Sequence, residues 1–301
     1  MKLMVFDAGG TEIKYGVVED GTIITDKGWF PTPTDCFESF LEQVSNVYLK
    51  HKDEVEGIAM TIPGPVDVVN GTVHGNNAMK YKHDIHVARC IAEKCGCPAV
   101  IDNDAKAAIL AEHRYGALKG CSNAAVFVIG TAVGGGFIIN GQIVRGATYN
   151  AGEFSFVNTE ADDYANDDKI LGQKCSTSFL LKSYRQRTGC DEEIDGREFF
   201  RRLPSDPAAQ AALDELSMNI AIQLYNIYWL LDLEKVAIGG GISRQPALIE
   251  KIRENYTVVE KNSYQGRHHT FTGMQIVPCE FRNDANLIGA FITYRDKLYN
   301  I

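Results

Sequence analysis

Met4-Val5-Phe6-Asp7-Ala8-Gly9-Gly10-Thr11-Glu12-Ile13-Lys14 runs directly into Tyr15-Gly16-Val17-Val18 and then Asp20-Gly21. An apolar run of β type delivers a carboxylate, two glycines, a hydroxyl and a cation. The chain then turns back as a second strand, whose Asp-Gly pair suits a tight hairpin turn. This is the layout of a hairpin that handles phosphate. Gly9 and Gly10 let backbone N–H groups approach an anion with no Cβ in the way, and Thr11 adds a hydroxyl donor. Asp7, at the end of a buried strand, faces the same place and suits Mg2+ held through water, since magnesium keeps several waters when it bridges phosphates. The same residues also fit an ordinary hairpin whose glycines serve only the turn, and Lys14 fits a solvated charge, so both readings stay open for this stretch alone.

The pattern occurs twice. Val126-Phe127-Val128-Ile129-Gly130-Thr131-Ala132-Val133-Gly134-Gly135-Gly136-Phe137-Ile138-Ile139-Asn140-Gly141 is again an apolar run, a Gly/Thr cluster, a second apolar run and a hairpin dipeptide. Gly16, Val17, Val18, Asp20, Gly21 and Ile23 have counterparts in Gly136, Phe137, Ile138, Asn140, Gly141 and Ile143. The copies are too far apart for a solenoid repeat. They predict a duplicated domain with two glycine-rich hairpins facing each other across a cleft.

The 301 residues suit one large or two medium domains, and 45% hydrophobic with 23% charged residues leaves ample core. A net charge of -9 argues against general nucleic-acid binding, which needs a basic footprint to displace counterions. No apolar run is long enough for a membrane span, and Met1-Lys2 leads into the first strand without a signal-peptide layout. The eight cysteines are scattered, as expected of reduced thiols, so the expected location is cytoplasmic. Cys90, Cys95 and Cys97 sit close together without a second pair to complete four zinc ligands, and His83, His86, His268 and His269 read as solvated.

Further along, Asp35 fits a helix N-cap, and Phe37, Phe40, Leu41, Val44, Val47 and Tyr48 recur at helical spacing, predicting a helix over about 36–51. The strand Val55–Ile62 ends in Pro63-Gly64-Pro65-Val66-Asp67, a rigid turn that exposes the Gly64 backbone at the strand's C-terminal edge, where ligands sit in open α/β sheets. A helix from Ile85 to Cys95 precedes Pro98-Ala99-Val100-Ile101, which leads into Asp102-Asn103-Asp104 and an alanine-rich helix. Asp104 at a strand-to-helix junction has the fixed geometry and partial exposure of a general base, and Asn103 can donate to and accept from a polyol. The same three residues also fit a plain helix cap. Glu153, between small residues and aromatics, fits a polar contact in a ligand pocket. Residues 158–170 read as an acidic surface loop. Helices are expected at about 176–187, 197–202, 208–231 and 246–255. Strand Lys235–Ile238 enters Gly239-Gly240-Gly241, another close-approach site for a nucleotide. A last strand at 275–281 and a helix from Asp284 to about Leu298 close the chain.

Taken in order, Asp7-x-Gly9-Gly10-Thr11-x-x-Lys14, Pro63-Gly64-Pro65-Val66-Asp67, Asn103-Asp104-Ala105, Gly130-Thr131-x-x-Gly134-x-Gly136, Gly152-Glu153 and Ile238-Gly239-Gly240-Gly241-Ile242-Ser243 resemble the ROK family of repressors, open reading frames and kinases, part of the actin-like ATPase superfamily. The resemblance spans nearly the whole chain, and as an ordered set it is specific although each glycine cluster alone is weak. It implies an α/β fold of two ribonuclease-H-like domains with a cleft between them, residues 1–118 with a returning helix 284–301, and residues 119–283. It implies ATP and Mg2+ as cofactors, a sugar as substrate, and a homo-oligomer, a dimer by family analogy. Asp104 would be the general base. Asp7 would assist Mg2+; Gly9, Gly10, Thr11 and Lys14 would form the first phosphate site and Gly130, Thr131 and Gly134 the second, while Gly239, Gly240 and Gly241 would approach the adenosine. Asn103, Glu153 and the backbone near Gly64 would hold the sugar.

Three departures refine this expectation. Many family kinases carry a zinc held by a histidine soon after the Gly-Glu and by a cysteine run; here that position reads as Phe156, and the region offers Cys175 and Cys190, so no zinc site is expected. A glutamate commonly found before the Ser-Thr pair reads as Gly172, ahead of Ser176-Thr177. Both losses are expected to open the pocket around the anomeric side and make it more apolar, as in the zinc-less subgroup that includes glucokinase and β-glucoside kinase members. The winged helix-turn-helix of the repressors has no counterpart ahead of Asp7, where only a few residues stand. The reading is an ATP-dependent carbohydrate kinase acting on a hexose or hexose-containing glycoside, at the 6-hydroxyl; the alternative is a catalytically silent sugar-binding regulator, and a different actin-like ATPase is a third class.

Overall fold

The structure is a computed structural model that describes residues 1–74, 84–189, 192–269 and 271–299. His83 and Cys190 lie outside the described residues. The chain divides into two compact units, one of Met1–Tyr115, Arg145–Ala151 and Asp284–Ile301, the other of Gly116–Val144 and Gly152–Asn283. The short segment Arg145–Ala151, which sequence reading assigned to the second domain, packs with the first unit. Its anchor is a buried ion pair described below.

In the first unit the strands are β1 (Lys2–Ala8), β2 (Glu12–Glu19), β3 (Ile23–Pro31), β4 (Ile58–Ile62), a small ribbon of β5 (Val66–Asp67) and β6 (Thr72–Val73), and β7 (Ala99–Asn103). The main sheet has the order β3-β2-β1-β4-β7. β1, β2 and β3 pair antiparallel, and β1, β4 and β7 pair parallel. Both faces of this sheet are covered, which explains why β1 reads as a continuous apolar run. Met4, Phe6 and Ala8 point to one core with Phe40, Val44 and Ile91 of helices Phe37–Tyr48 and Val87–Cys95. Leu3 and Val5 point to the other, against Leu287, Ala290, Phe291 and Tyr294 of the closing helix Ala285–Tyr299. Each Met, Phe, Leu, Val or Ile among them taken from water stabilises the fold by about 1.5–3 kcal/mol.

The second unit repeats the plan with β8 (Ala124–Ile129), β9 (Val133–Ile139), β10 (Gln142–Val144), β11 (Lys235–Gly239) and β12 (Gln275–Pro278), in the order β10-β9-β8-β11-β12. The pairing senses match strand for strand, so the duplication read from the two hairpins is present in the topology. Phe127, Ile129 and Val236 meet Leu216, Ile220 and Leu224 of helix Pro207–Leu231 and Ile249 and Ile252 of helix Pro246–Asn262 in one core. The expected hairpin dipeptides have the positive φ that a primed turn needs: Asp20 (50°) and Gly21 (92°), Asn140 (52°) and Gly141 (74°).

Several boundaries moved. The helix expected over 36–51 is Phe37–Tyr48, and its N-cap is Cys36 rather than Asp35. The Asp35 carboxylate instead accepts from Ser39 Oγ at 2.6 Å, outside cap geometry. Helix Val87–Cys95 starts later than Ile85, because Ile85 bridges to Val73. Helix Pro246–Asn262 runs beyond the expected 255. Among the described residues no helix is long and apolar enough to cross a membrane.

Candidate active site

The parallel strands of the first unit set polar residues in a row at their C-terminal ends. Asp7 on β1 pairs with Thr61 on β4, and Thr61 pairs with Asp102 on β7, so the three lie side by side on one face of the sheet. The closing helix lies on that face and supplies polar partners about two turns apart. Asp7 Oδ1 accepts from Thr61 Oγ1 at 2.7 Å and from Asn286 Nδ2 at 2.9 Å. Asp102 Oδ2 accepts from Thr293 Oγ1 at 2.7 Å. Two donors on one oxygen fix the Asp7 carboxylate and leave Oδ2 without a partner among the described residues. A half-buried carboxylate with one pinned and one open oxygen fits a water ligand of Mg2+, as the sequence suggests.

Beyond Asp7 the chain makes the turn Gly9-Gly10-Thr11, closed by Gly9 N–H donating to Glu12 O at 3.0 Å. The residue that follows β3 braces it: Thr32 Oγ1 donates to Gly9 O at 2.6 Å and Thr32 N–H to Thr11 O at 3.0 Å. Gly10 and Thr11 are exposed. Lys14 Nζ lies 3.2 Å from Glu12 Oε1, both side chains half exposed. A pair of that kind is worth little in water.

Asp104 opens helix Asp104–Arg114 directly off β7 and is half-buried, its Oδ1 accepting from Ala105 N–H at 2.7 Å. Asn103 is the N-cap: Oδ1 accepts from Lys106 N–H at 3.0 Å, while Nδ2 donates to Gly64 O at 2.9 Å. The amide therefore caps the helix and also ties it to the Pro-Gly-Pro turn. Each end of an amide can make two hydrogen bonds, so one donor and one acceptor position remain beyond these contacts. Gly64 has φ of 103°, which only glycine adopts readily.

Under this junction sits the Asp102 carboxylate, fully buried. Arg145 grips it with both ends of the guanidinium, at 2.6 and 2.8 Å, and Asn103 N–H donates to the same Oδ1 at 2.8 Å. Burial by itself would pull the Arg145 pKa down; the Asp102 carboxylate outweighs it and holds the guanidinium above its ordinary value. Arg145 thereby anchors the segment to Ala151. Within it Tyr149, at φ of 63°, stacks on His74 with ring centroids 6.3 Å apart.

In the second unit the turn Gly130-Thr131-Ala132 is closed by Gly130 N–H donating to Ala132 O at 2.9 Å, and Thr177 N–H donates to Gly130 O at 2.9 Å. Thr131 is exposed and Gly134 half-buried on β9. Ser155 braces the next residue in both directions: Val133 N–H donates to its Oγ at 2.9 Å, and its hydroxyl donates to Val133 O at 2.7 Å. Glu153 is half-buried at the start of a one-turn helix, Phe154–Phe156. The third glycine cluster ends β11. A Cβ at Gly240 would lie 2.1 Å from Ile129 O, and its φ is 96°, whereas a Cβ at Gly241 would meet nothing within 4 Å.

Of Phe156 and Gly172, the second parts company with expectation. Phe156 is 74% exposed and presents an apolar ring to solvent. Gly172 leaves no opening, because a Cβ there would lie 2.8 Å from Ser155 Oγ and 2.9 Å from Ser155 Cβ. The room that a side chain would need is filled by the serine that braces Val133. Cys175 is a fully buried core side chain, and burial pushes its thiol pKa up. Among the described residues no three His, Cys, Asp or Glu side chains gather as a metal-holding group.

Sequence reading missed Thr61, Asn286, Thr293 and Arg145. Thr61 had a signal, a lone hydroxyl in the otherwise apolar Ile58–Ile62, every residue of which is buried. Asn286 and Thr293 become legible only once the closing helix is known to lie on that face.

The model of the ROK family matches residues 4–297. A β-glucoside kinase of Listeria innocua is 32% identical over 259 residues, which cover 85% of this chain and 87% of that one. Among solved structures, a ROK family protein from Streptococcus pneumoniae in complex with sucrose superposes with a TM-score of 0.88 at 28% identity over 100% of both chains. A ROK glucokinase from Streptomyces griseus in complex with glucose and AMPPNP gives 0.80 at 25% identity, covering 96% of this chain and 98% of that one. With its two sheet-and-helix units and this match along almost its full length, the chain belongs to the ROK family.

Proposed function

We propose that the chain is a sugar kinase that transfers the γ-phosphoryl group of ATP to the 6-hydroxyl of a hexose or hexose-containing glycoside, with Asp104 as general base. The observation that carries the reading is Asp104 at the β7-to-helix junction, half-buried with one oxygen held by Ala105 N–H and its neighbour Asn103 fixed between Gly64 and Lys106. Phosphoryl transfer is mostly positioning and charge stabilisation. Asp104 takes the hydroxyl proton as the sugar oxygen bonds to the γ-phosphorus and the bond to the β-phosphate oxygen breaks, releasing ADP. Gly9, Gly10, Thr11 and Lys14 form the first phosphate site, and Gly130, Thr131 and Gly134 the second. Gly239, Gly240 and Gly241 admit the nucleoside. Asn103, Glu153 and the Gly64 backbone hold the sugar.

Mg2+, when bound, neutralises phosphate charge, and Asp7 holds it through water. Support for hexose and ATP comes from the glucokinase bound to glucose and AMPPNP, and support for a linked sugar from the β-glucoside kinase and the sucrose complex. We place the reaction in the cytoplasm, where ATP is supplied, and the working form as a homodimer on family resemblance. The competing reading is a silent sugar-binding regulator.

An ADP-release assay across free hexoses, N-acetylhexosamines and β-linked disaccharides tests the proposal, with Asp104→Asn as control. Sugar-dependent turnover lost in the variant, with sugar binding kept, is the expected result. Sugar binding without any ADP release in the unaltered protein selects the regulator.

A further inference from the structure

Bordering the Gly239–Gly241 turn, the second unit holds a cavity of about 490 Å3 between the first turns of helix Pro246–Asn262 and the end of β12. Three guanidinium groups, Arg244, Arg253 and Arg282, line it in a chain whose net charge is -9. Arg253 is aimed by one bond, its Nε donating to Ile276 O at 2.7 Å, which leaves the two terminal nitrogens as a fork. Arg244 and Arg282 make no hydrogen bond or ion pair among the described residues. Arginine presents a planar fork matched to phosphate oxygens and is the residue of choice where phosphate is recognised.

The other lining groups narrow the ligand. Pro246, Ile249 and Pro278 give an apolar wall, and the carboxylates of Glu250 and Glu280 and the Ser243 hydroxyl stand against the three guanidinium groups as acceptors for hydroxyl groups. A bare polyanion gains nothing from a carboxylate in its site. A molecule with one phosphate, several hydroxyls and a carbon skeleton uses every one of these surfaces. We propose that this cavity binds a phosphorylated polyol or sugar phosphate as a ligand separate from the nucleotide.

The cavity also touches the nucleotide loop. Its Ser243 hydroxyl donates to Gly240 O at 2.8 Å, and a Cβ on Gly239 would lie 3.2 Å from the sulfur of Cys279 in the cavity lining. A ligand held there would rest against residues that touch the three-glycine turn.

Titration calorimetry of the full chain with glucose 6-phosphate tests this, using sorbitol as the uncharged control and saturating AMPPNP to fill the nucleotide site. The double variant Arg244→Ala, Arg282→Asn is the comparison; asparagine is chosen because residue 282 has φ of 54°, which asparagine tolerates. Expected are binding of glucose 6-phosphate but not sorbitol, persistence under AMPPNP, and a loss of about tenfold or more in the double variant, whose AMPPNP affinity is measurable and whose melting temperature is kept. No binding, binding abolished by AMPPNP, or equal binding in the variant would each overturn the proposal.

Discussion

Arg145 holds both oxygens of Asp102, at 2.6 and 2.8 Å, while the next two residues along the chain from Asp102 cap and open the helix that starts with Asp104. The carboxylate is completely buried, and every approach to it is filled by Arg145, Asn103 N–H or Thr293.

Removing one member of such a pair strands the other. Arg145→Met leaves a buried carboxylate without its counter-charge and is expected to destabilise the fold by about 3–5 kcal/mol. Urea unfolding reads this loss. Asp102→Asn in the same chain should recover part of it, since an amide needs no counter-charge; no recovery would mean that Arg145 acts through packing alone.

Gly240 and Gly241 are adjacent and predict opposite behaviour. Gly240→Ala combines a φ of 96° with a Cβ 2.1 Å from the Ile129 carbonyl, and backbone cannot step aside as a side chain can, so a loss of about 1–3 kcal/mol or more is expected in thermal unfolding. Gly241→Ala meets nothing within 4 Å and should leave stability within about 0.5 kcal/mol. If a nucleotide approaches there, the KM for ATP rises nonetheless; an unchanged KM would remove Gly241 from the nucleotide site.

Phe156 offers an exposed ring directly after the turn that carries Glu153. Phe156→Ala should lower kcat/KM for a β-linked disaccharide several-fold more than for the free hexose, because apolar contact worth about 1 kcal/mol is lost from the second ring alone. Gly172→Glu is expected to cost activity on both substrates, since the new side chain displaces Ser155 from Val133.

Acid stability depends on Asp67. Burial pushes its pKa up, but hydrogen bonds from the Asn70 side chain and backbone outweigh it and leave it below the ordinary value of 3.8. A depressed carboxyl contributes stability that is fully present above its unfolded value and is lost as pH falls through its folded value. Asn70→Ala removes the side-chain donor and raises the folded pKa. Unfolding free energies of the variant and the parent measured between about pH 6 and pH 3 should show less acid loss in the variant, because less stability was linked to that carboxyl.

The strand-and-glycine signals were legible because they are local. Alternating burial, Asp-Gly and Asn-Gly turns and the Asn-Asp junction are each fixed within a few residues, and they placed both sheets and Asp104. What was illegible is what the chain brings from far away. Arg145 follows β10 of one unit yet pairs with Asp102 of the other, so no window of sequence contains both. Asn103 was read as a ligand for a polyol or as a cap, and local spacing has no way to choose when Gly64 lies on another strand end. Gly172 was read as a gap, because a missing side chain leaves no trace in the sequence of the Ser155 that fills it.

Gly289 shows how late this assembly is completed. A Cβ there would lie 1.9 Å from Ala107 O, so the closing helix rests directly on the backbone of the helix headed by Asp104. On the ribosome, residues 285–299 emerge after every strand of both sheets. Until they do, Leu3, Val5, Ala59 and Val100 form a greasy sheet face with no cover, and Asp7 and Asp102 lack Asn286 and Thr293. The nascent first unit thus keeps this apolar face uncovered for the whole time the second is being translated, and a chain truncated near residue 280 is expected to expose it rather than merely to lose some stability.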